Sequence, residues 1–240
     1  MLEYQLIRSK RRKTLLLQVK YGQVTVRAPY SVNSVFIDTF IQEKSSWLRA
    51  KVAQQQSEAK PCNFTQGAHL LYLGEIVRLN LSFAKKAKVF VSNASLSEKQ
   101  LNIMISDRVN AKLISAEAQA KQVKKQLETY FKQQAEQLFY QRVRLLSEQT
   151  SLVVSKLTIR QYRARWGSCN NRGEVSLNYL LMMTPLFVID YVIVHELCHL
   201  EYLNHSKNFW NLVEKHSPNY KVAKQWLSDH QLELQWRGSS

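Results

Sequence analysis

The sequence is poor in the residues that mark several common classes of protein. Its 240 residues include only six glycines, four prolines and three cysteines, which excludes collagen-like, low-complexity and disulfide-framework proteins. No run of about 18 apolar residues occurs, so no segment is predicted to span a membrane. The cysteines, Cys62, Cys169 and Cys198, have no C-x-x-C spacing. We interpret them as small packing residues and expect a cytoplasmic protein with no membrane partner.

Positive charge is in clear excess. The formal net charge is +16, and residues 1–60 carry 11 Lys and Arg against 4 Asp and Glu. A basic surface attracts nucleic acid, phosphates or acidic proteins, and it also favours solubility without any partner. Nucleic acid is therefore a candidate partner of the basic N-terminal half.

The hydrophobic pattern changes along the chain. Residues 1–108 contain several segments with the alternation typical of strands and one helical segment, whereas a long helix with an apolar stripe begins near residue 109. The fold class is therefore predicted as α+β. We expect a β-rich basic N-terminal domain over residues 1–108 and a second domain of mixed helix and sheet over residues 109–240.

Half of the six histidines fall in the window VIVHELCHLEYLNHSKNFW, residues 192–210. The preceding run has no Gly or Pro and is apolar on nearly every side, which predicts a buried helix with Pro185 in its first turn and Thr184 as N-cap. His195 and His199 are four residues apart and project from one helix face, the separation that lets two imidazoles hold one metal ion. Glu196 is rotated about 100° around the helix and suits a general base.

A catalytic zinc site needs a third protein ligand. His205 lies six residues beyond His199 and follows Asn204, a residue suited to ending the helix in the left-handed conformation. Ser206 is a natural N-cap for a following helix. The spacing HExxHxxxxxH matches that of metzincin peptidases, although Tyr202 stands where those enzymes place a glycine. We predict one Zn²⁺ ion held by the three histidines.

The segments RARWGSC, YVIVHELCHL, NHSKNFW and SPNY, together with the N-terminal RSKRRKTLLLQV and VTVRAP, resemble the YgjP-like metallopeptidase family. That family is related to the SprT-like and WLM groups of zincins. The resemblance implies a zincin-like catalytic half in which a strand lies above an HExxH active-site helix and pairs with substrate peptides.

Three functions remain open at this point. The first is a zinc-dependent metallopeptidase that cleaves peptide bonds with zinc-activated water and Glu196 as general base. The second is a metal-dependent hydrolase of nucleoside triphosphates, favoured by the arginines near the site. The third is a nucleic-acid-binding module with a structural metal. Residues proposed to contact the substrate are Arg163, Arg165, Trp166 and Tyr202.

Overall fold

The computed structural model describes residues 3–20, 23–49, 52, 62–95, 99–234 and 236. The chain divides into two compact units, residues 1–60 and residues 61–240. Each unit is described by itself.

The first unit contains a three-stranded sheet and a helix. Its elements are β1 (Tyr4–Ser9), β2 (Leu16–Lys20), β3 (Gln23–Pro29) and α1 (Ser34–Glu43). The central strand β3 pairs in parallel with β1 and antiparallel with β2. Residues 45–49 are also helical.

The core of the first unit forms between β3 and the helical residues. Alternate side chains of β3 point to one face, as the two-residue period of a strand requires, and the helical stripe covers them. The buried apolar residues of this core are Val24, Val26, Ala28, Ile37, Ile41 and Leu48. Arg8 of β1 has a structural role because its guanidinium donates to the carbonyl oxygens of Pro29, Tyr30 and Val32.

The second unit begins with a four-stranded sheet in the order β4-β5-β7-β6. Its strands are β4 (His69–Tyr72), β5 (Glu75–Ala84), β6 (Lys88–Asn93) and β7 (Lys99–Ser106). The β4–β5 and β6–β7 pairs are antiparallel, and the β5–β7 pair is parallel. Along β7 the buried residues alternate with half-buried ones, so one face of this sheet is covered.

Two helices follow this sheet: the short α2 (Asp107–Asn110) and the 35-residue α3 (Ala116–Thr150). Ser115 caps α3 because its hydroxyl accepts a hydrogen bond from the backbone N–H of Ala118. The helix buries an apolar stripe made of Val123, Leu127, Phe131, Ala135, Phe139, Val143 and Leu146.

The rest of the second unit is a small mixed sheet and the helices that surround it. These elements are β8 (Lys156–Arg160), β9 (Gly167–Cys169), β10 (Glu174–Asn178), a 3₁₀ helix (Tyr179–Met183), α4 (Leu186–Cys198), α5 (Lys207–His216) and α6 (Tyr220–Asp229). The strand order is β8-β10-β9, in which β8 is parallel and β9 antiparallel to β10.

One hydrophobic core joins all these elements of the second unit. It includes Leu79 of β5, Phe131 of α3, Leu177 of β10 and Ile193 of α4, each of them at most 1% exposed. The fold is therefore mixed α+β with several sheets. The boundary predicted near residue 108 lies inside this packing unit, between β7 and α3, and the division into domains at that point stays a prediction.

None of the helices in the described ranges is both long enough and apolar enough to cross a membrane.

Candidate metal centre

Helix α4 is buried on almost every side. Nine of its 13 residues are buried, including Val192, Ile193 and Val194 in succession. It begins one residue later than predicted: Pro185 occupies the N-cap position, and the Thr184 hydroxyl donates to the Leu181 carbonyl instead of capping the helix. The predicted Thr184 cap is therefore wrong.

The start of α4 is braced by the β4–β5 turn. Leu73 and Gly74 both have positive φ, 50° and 80°, as a tight two-residue hairpin turn requires. Their N–H groups donate to the carbonyl oxygens of Met182 and Met183, at 2.7 and 3.1 Å. A Cβ on Gly74 would lie 2.5 Å from Cγ of Pro185. Glycine is needed at this position because the turn contacts Pro185, the N-cap of the helix.

The helix ends among the metal-ligand candidates. It ends at Cys198, with His199 as C-cap, and the Cys198 carbonyl accepts from the N–H groups of Glu201 and Tyr202. The expectation that Asn204 ends the helix is wrong. Asn204 has no positive φ, and its side chain accepts from the N–H of Ser206.

This early ending gives Tyr202 a role through its backbone. Nδ1 of His199 lies 2.9 Å from the Tyr202 carbonyl oxygen. A carbonyl can only accept, so Nδ1 carries the proton and the Nε2 lone pair of His199 is free for a metal. The Tyr202 side chain is 36% exposed. The sequence could not reveal a contact made by a main-chain oxygen.

The three histidines converge at the end of α4. Ser206 caps α5 as predicted, with its hydroxyl accepting from the Phe209 N–H, and the residue before it is His205. Nε2 of His205 lies 3.1 Å from Nε2 of His195, and the ligand atoms of His195, His199 and His205 all lie within 4.8 Å of one another. Nitrogens on one tetrahedral zinc ion are roughly 3.3 Å apart. The donor set therefore fits a single ion.

His195 and His205 are in the form that binds metal. Burial, followed by the charges of His199, His205 and Lys224, lowers the pKa of His195 to about 3. Burial and nearby charges also lower the pKa of His205. Both rings are therefore neutral near pH 7, and neutral imidazole is the ligating species.

An aromatic ring lies behind the three histidines. Phe209 is fully buried, and its ring centroid is 5.0, 4.5 and 4.8 Å from those of His195, His199 and His205. It holds the three imidazoles from the core side. On the sequence, Phe209 is indistinguishable from an ordinary core residue of an amphipathic helix.

Glu196 lies against strand β9. Its side chain is 5% exposed, and burial raises the pKa of its carboxyl to about 7, although the charge of Arg165 opposes the rise. A Cβ on Gly167 would lie 2.6 Å from Oε1 of Glu196. The absence of a side chain at Gly167 is what lets the strand approach this carboxylate. The resemblance to the YgjP-like family implies a close backbone approach at Gly167 but not which residue it contacts.

The two predicted arginines differ in their surroundings. Arg165 is exposed, with its guanidinium 5.5 Å from the centre of the Tyr162 ring, and its charge acts on Glu196. The buried Asn178 amide donates to the carbonyl oxygens of Tyr162 and Arg165, which ties this loop to β10. Arg163 is exposed and has no hydrogen bond or ion pair with any residue that the structure describes.

Trp166 has a packing role. Its half-buried ring packs against the core, and its carbonyl accepts from the Asn178 N–H at 2.8 Å. No contact in the described residues joins its ring to the histidines. A substrate contact at Trp166 stays a prediction.

Comparisons with known proteins identify the family of this chain. The family described as "YgjP-like, metallopeptidase domain" matches residues 13–230. No curated protein matches the chain. A solved structure, the crystal structure of the metallopeptidase zymogen of Pyrococcus abyssi abylysin, is 20% identical, with a TM-score of 0.35, over 38% of this chain and 94% of that one. The family match implies a hydrolase with a catalytic metal and a protein or peptide substrate. It extends over both compact units and includes every histidine of the cluster, and the chain belongs to the YgjP-like metallopeptidase family.

Proposed function

We propose that this chain is a zinc-dependent metallopeptidase in which His195, His199 and His205 hold the ion and Glu196 is the general base. The observation that carries the proposal is the convergence of the three imidazoles within 4.8 Å, directly beside a buried carboxylate. Residues 109–240 are then the zincin-like catalytic half, with α4 as the active-site helix.

The number and type of ligands favour catalysis over a structural role. Structural zinc is normally closed by four protein ligands, whereas catalytic zinc has three, and three are offered by the described residues. A zinc ion bound there supplies Lewis-acid chemistry that acidifies a water molecule and polarises the scissile carbonyl.

The protein's own part in the reaction is proton transfer by Glu196. A carboxyl with a pKa of about 7 can accept the proton of the attacking water and pass it to the leaving amine nitrogen. Gly167 keeps this carboxylate in place, and Phe209 keeps the imidazoles in place. Both are positioning residues.

The predicted substrate contacts differ in the observations that support them. Arg165 is the best supported of them because its charge acts on Glu196. Arg163, Trp166 and the Tyr202 side chain have no comparable observation. The nucleotide and nucleic-acid alternatives, and the cytoplasmic location, stay predictions.

The proposal is tested by a paired hydrolysis assay on zinc-loaded protein. One arm offers unfolded protein and mixed peptides, and the other offers nucleoside triphosphates. Glu196→Gln is expected to lower peptide cleavage by about 10² to 10⁴-fold. Glu201→Gln is the matched control, since Glu201 is an exposed carboxylate in the same window.

The outcomes separate the three functions. Peptide cleavage that needs Glu196 but not Glu201 supports the peptidase. Triphosphate hydrolysis with the same dependence would replace it by the phosphohydrolase. Stoichiometric zinc with no hydrolysis, and binding of nucleic acid that weakens steeply with salt, would favour the binding module.

A further inference from the structure

A lysine lies beside the metal centre on a stack of aromatic rings. The ring of Trp210 stacks on His205, with centroids 5.6 Å apart and planes at 23°, and Tyr220 also stacks on Trp210, with centroids 5.4 Å apart. The ammonium nitrogen of Lys224 lies 4.3 Å from the centre of the Trp210 ring. This cation–π contact holds a positive charge one ring away from a metal ligand.

The charge of Lys224 has no carboxylate partner among the residues that the structure describes. Lys221, one turn earlier on α6, offers a contrast. Its ammonium group lies 5.6 Å from the Tyr220 ring but is also 3.8 Å from a carboxylate oxygen of Glu214. Lys221 is therefore paired with a carboxylate, whereas the contact of Lys224 with the described residues is with the aromatic ring of Trp210.

A second cation lies on the Glu196 side of the centre. Arg165 is exposed, and the Asn178 amide fixes the backbone of its loop. Like Lys224, Arg165 forms no ion pair with a carboxylate in the described ranges. Its charge acts on Glu196, whereas that of Lys224 acts on His195 and His205.

The charge balance of the centre is therefore strongly positive. Imidazole ligands contribute no negative charge to a divalent ion, and Glu196 is the carboxylate nearest in sequence to the three histidines. Arg165 and Lys224, neither of which is paired with a described carboxylate, add to this excess. Sites lined by one sign of charge attract ligands of the opposite sign, so a substrate that brings a carboxylate completes the balance.

We propose that Lys224 is a specificity-determining residue that selects peptide substrates carrying a carboxylate beside the scissile bond. This inference rests on the proposed peptidase function and names its substrate class. The carboxylate can come from the C-terminus of the substrate or from an Asp or Glu side chain. An ammonium group recognises both in the same way, as a compact point charge.

The experiment uses three peptides that differ only in whether and where they carry a carboxylate. One has Gln beside the cleaved bond and an amidated C-terminus, one has Glu in place of Gln, and one has a free C-terminal carboxylate. Their kcat/KM values are compared for the wild type, Lys224→Met and the matched control Lys221→Met. Their dissociation constants are measured by fluorescence anisotropy in the Glu196→Gln background, with and without zinc.

We expect the wild type to prefer one of the carboxylate peptides over the neutral peptide by about fivefold, the size of an exposed charge pair. Lys224→Met should bring that ratio close to one in both kcat/KM and binding, and Lys221→Met should preserve it. Because the contact is exposed, the preference should also weaken as salt is raised. The peptide that shows the effect identifies the source of the carboxylate.

Two failures are distinguishable. The inference is wrong and the peptidase proposal stands if the wild type cleaves all three peptides equally well. The same holds if the wild type prefers a carboxylate peptide and Lys224→Met keeps that preference. If no peptide is cleaved but carboxylate peptides bind better in a manner that needs Lys224, the peptidase proposal fails and the recognition role of Lys224 is supported.

Discussion

Replacing Gly167 by alanine tests whether strand β9 positions the carboxylate of Glu196. A Cβ at this position would lie 2.6 Å from Oε1, 2.7 Å from Cγ and 2.8 Å from Cδ of Glu196. Ordinary van der Waals contact begins at 3.4 Å, so the carboxylate must move by about 0.8 Å. All three close contacts fall on one side chain, and a shift of its tip alone does not relieve them.

A displacement of about 1 Å in a catalytic group costs roughly 10²-fold in rate. We therefore expect Gly167→Ala to lower kcat for peptide cleavage by about that factor. Zinc affinity should change by less than a few fold, because the histidines are not touched. The assay is peptide hydrolysis beside zinc titration and thermal melting.

Ser168→Ala is the control on the same strand. The side chain of Ser168 points to the opposite face of the strand from position 167. The substitution removes the contact with the Tyr162 hydroxyl and places no atom against Glu196. A Gly167→Ala protein that binds zinc, melts normally and cleaves peptides within threefold of the wild-type rate would refute the reasoning.

Two further predictions concern stability and thiol chemistry. Gly74→Ala should destabilise the second unit by about 2 to 3 kcal/mol and lower the melting temperature by roughly 5 to 10 °C, because a Cβ would meet Pro185 at 2.5 Å and φ is +80°. Gly67→Ala is the control, since Gly67 has a similar φ but a Cβ there would have its nearest contact at 3.5 Å. Equal losses of stability in the two variants would show that the contact with Pro185 is unimportant. Burial, with the charge of Glu196, raises the pKa of the Cys169 thiol to about 11. At pH 8 iodoacetamide should therefore label Cys169 about 100-fold more slowly than a thiol with a pKa of 9. The labelling rate should rise about tenfold for each pH unit. Mass spectrometry measures the labelling, and a rate equal to that of a free thiol would contradict the shift.

The parts of the site that the sequence predicts are those set by local spacing. His195 and His199 lie on one helix face because the run before them has no helix breaker, and the cap at Ser206 follows from the residue type alone. The convergence of His205 follows from a short connection between two helices. These predictions need only the 3.6-residue period and the chemistry of capping.

The parts that it could not predict depend on groups far apart in the chain or on the backbone. The backbone carbonyl of residue 202 orients His199, and this contact does not depend on the side chain at position 202. The contact of Gly167 with Glu196 and that of Gly74 with Pro185 join residues 29 and 111 positions apart. No periodicity encodes such contacts, since tertiary packing alone creates them.

The position of the histidines at the carboxyl end of α4 has an electrostatic consequence. The aligned peptide dipoles of a helix place about half a negative charge at this end, and α4 is 13 residues long. A cation is therefore favoured there before any ligand binds it, typically by about 0.3 to 1 kcal/mol. The same potential opposes the negative charge that develops on a carbonyl oxygen during hydrolysis. Cations outside the helix, such as Arg165 and Lys224, offset this unfavourable potential.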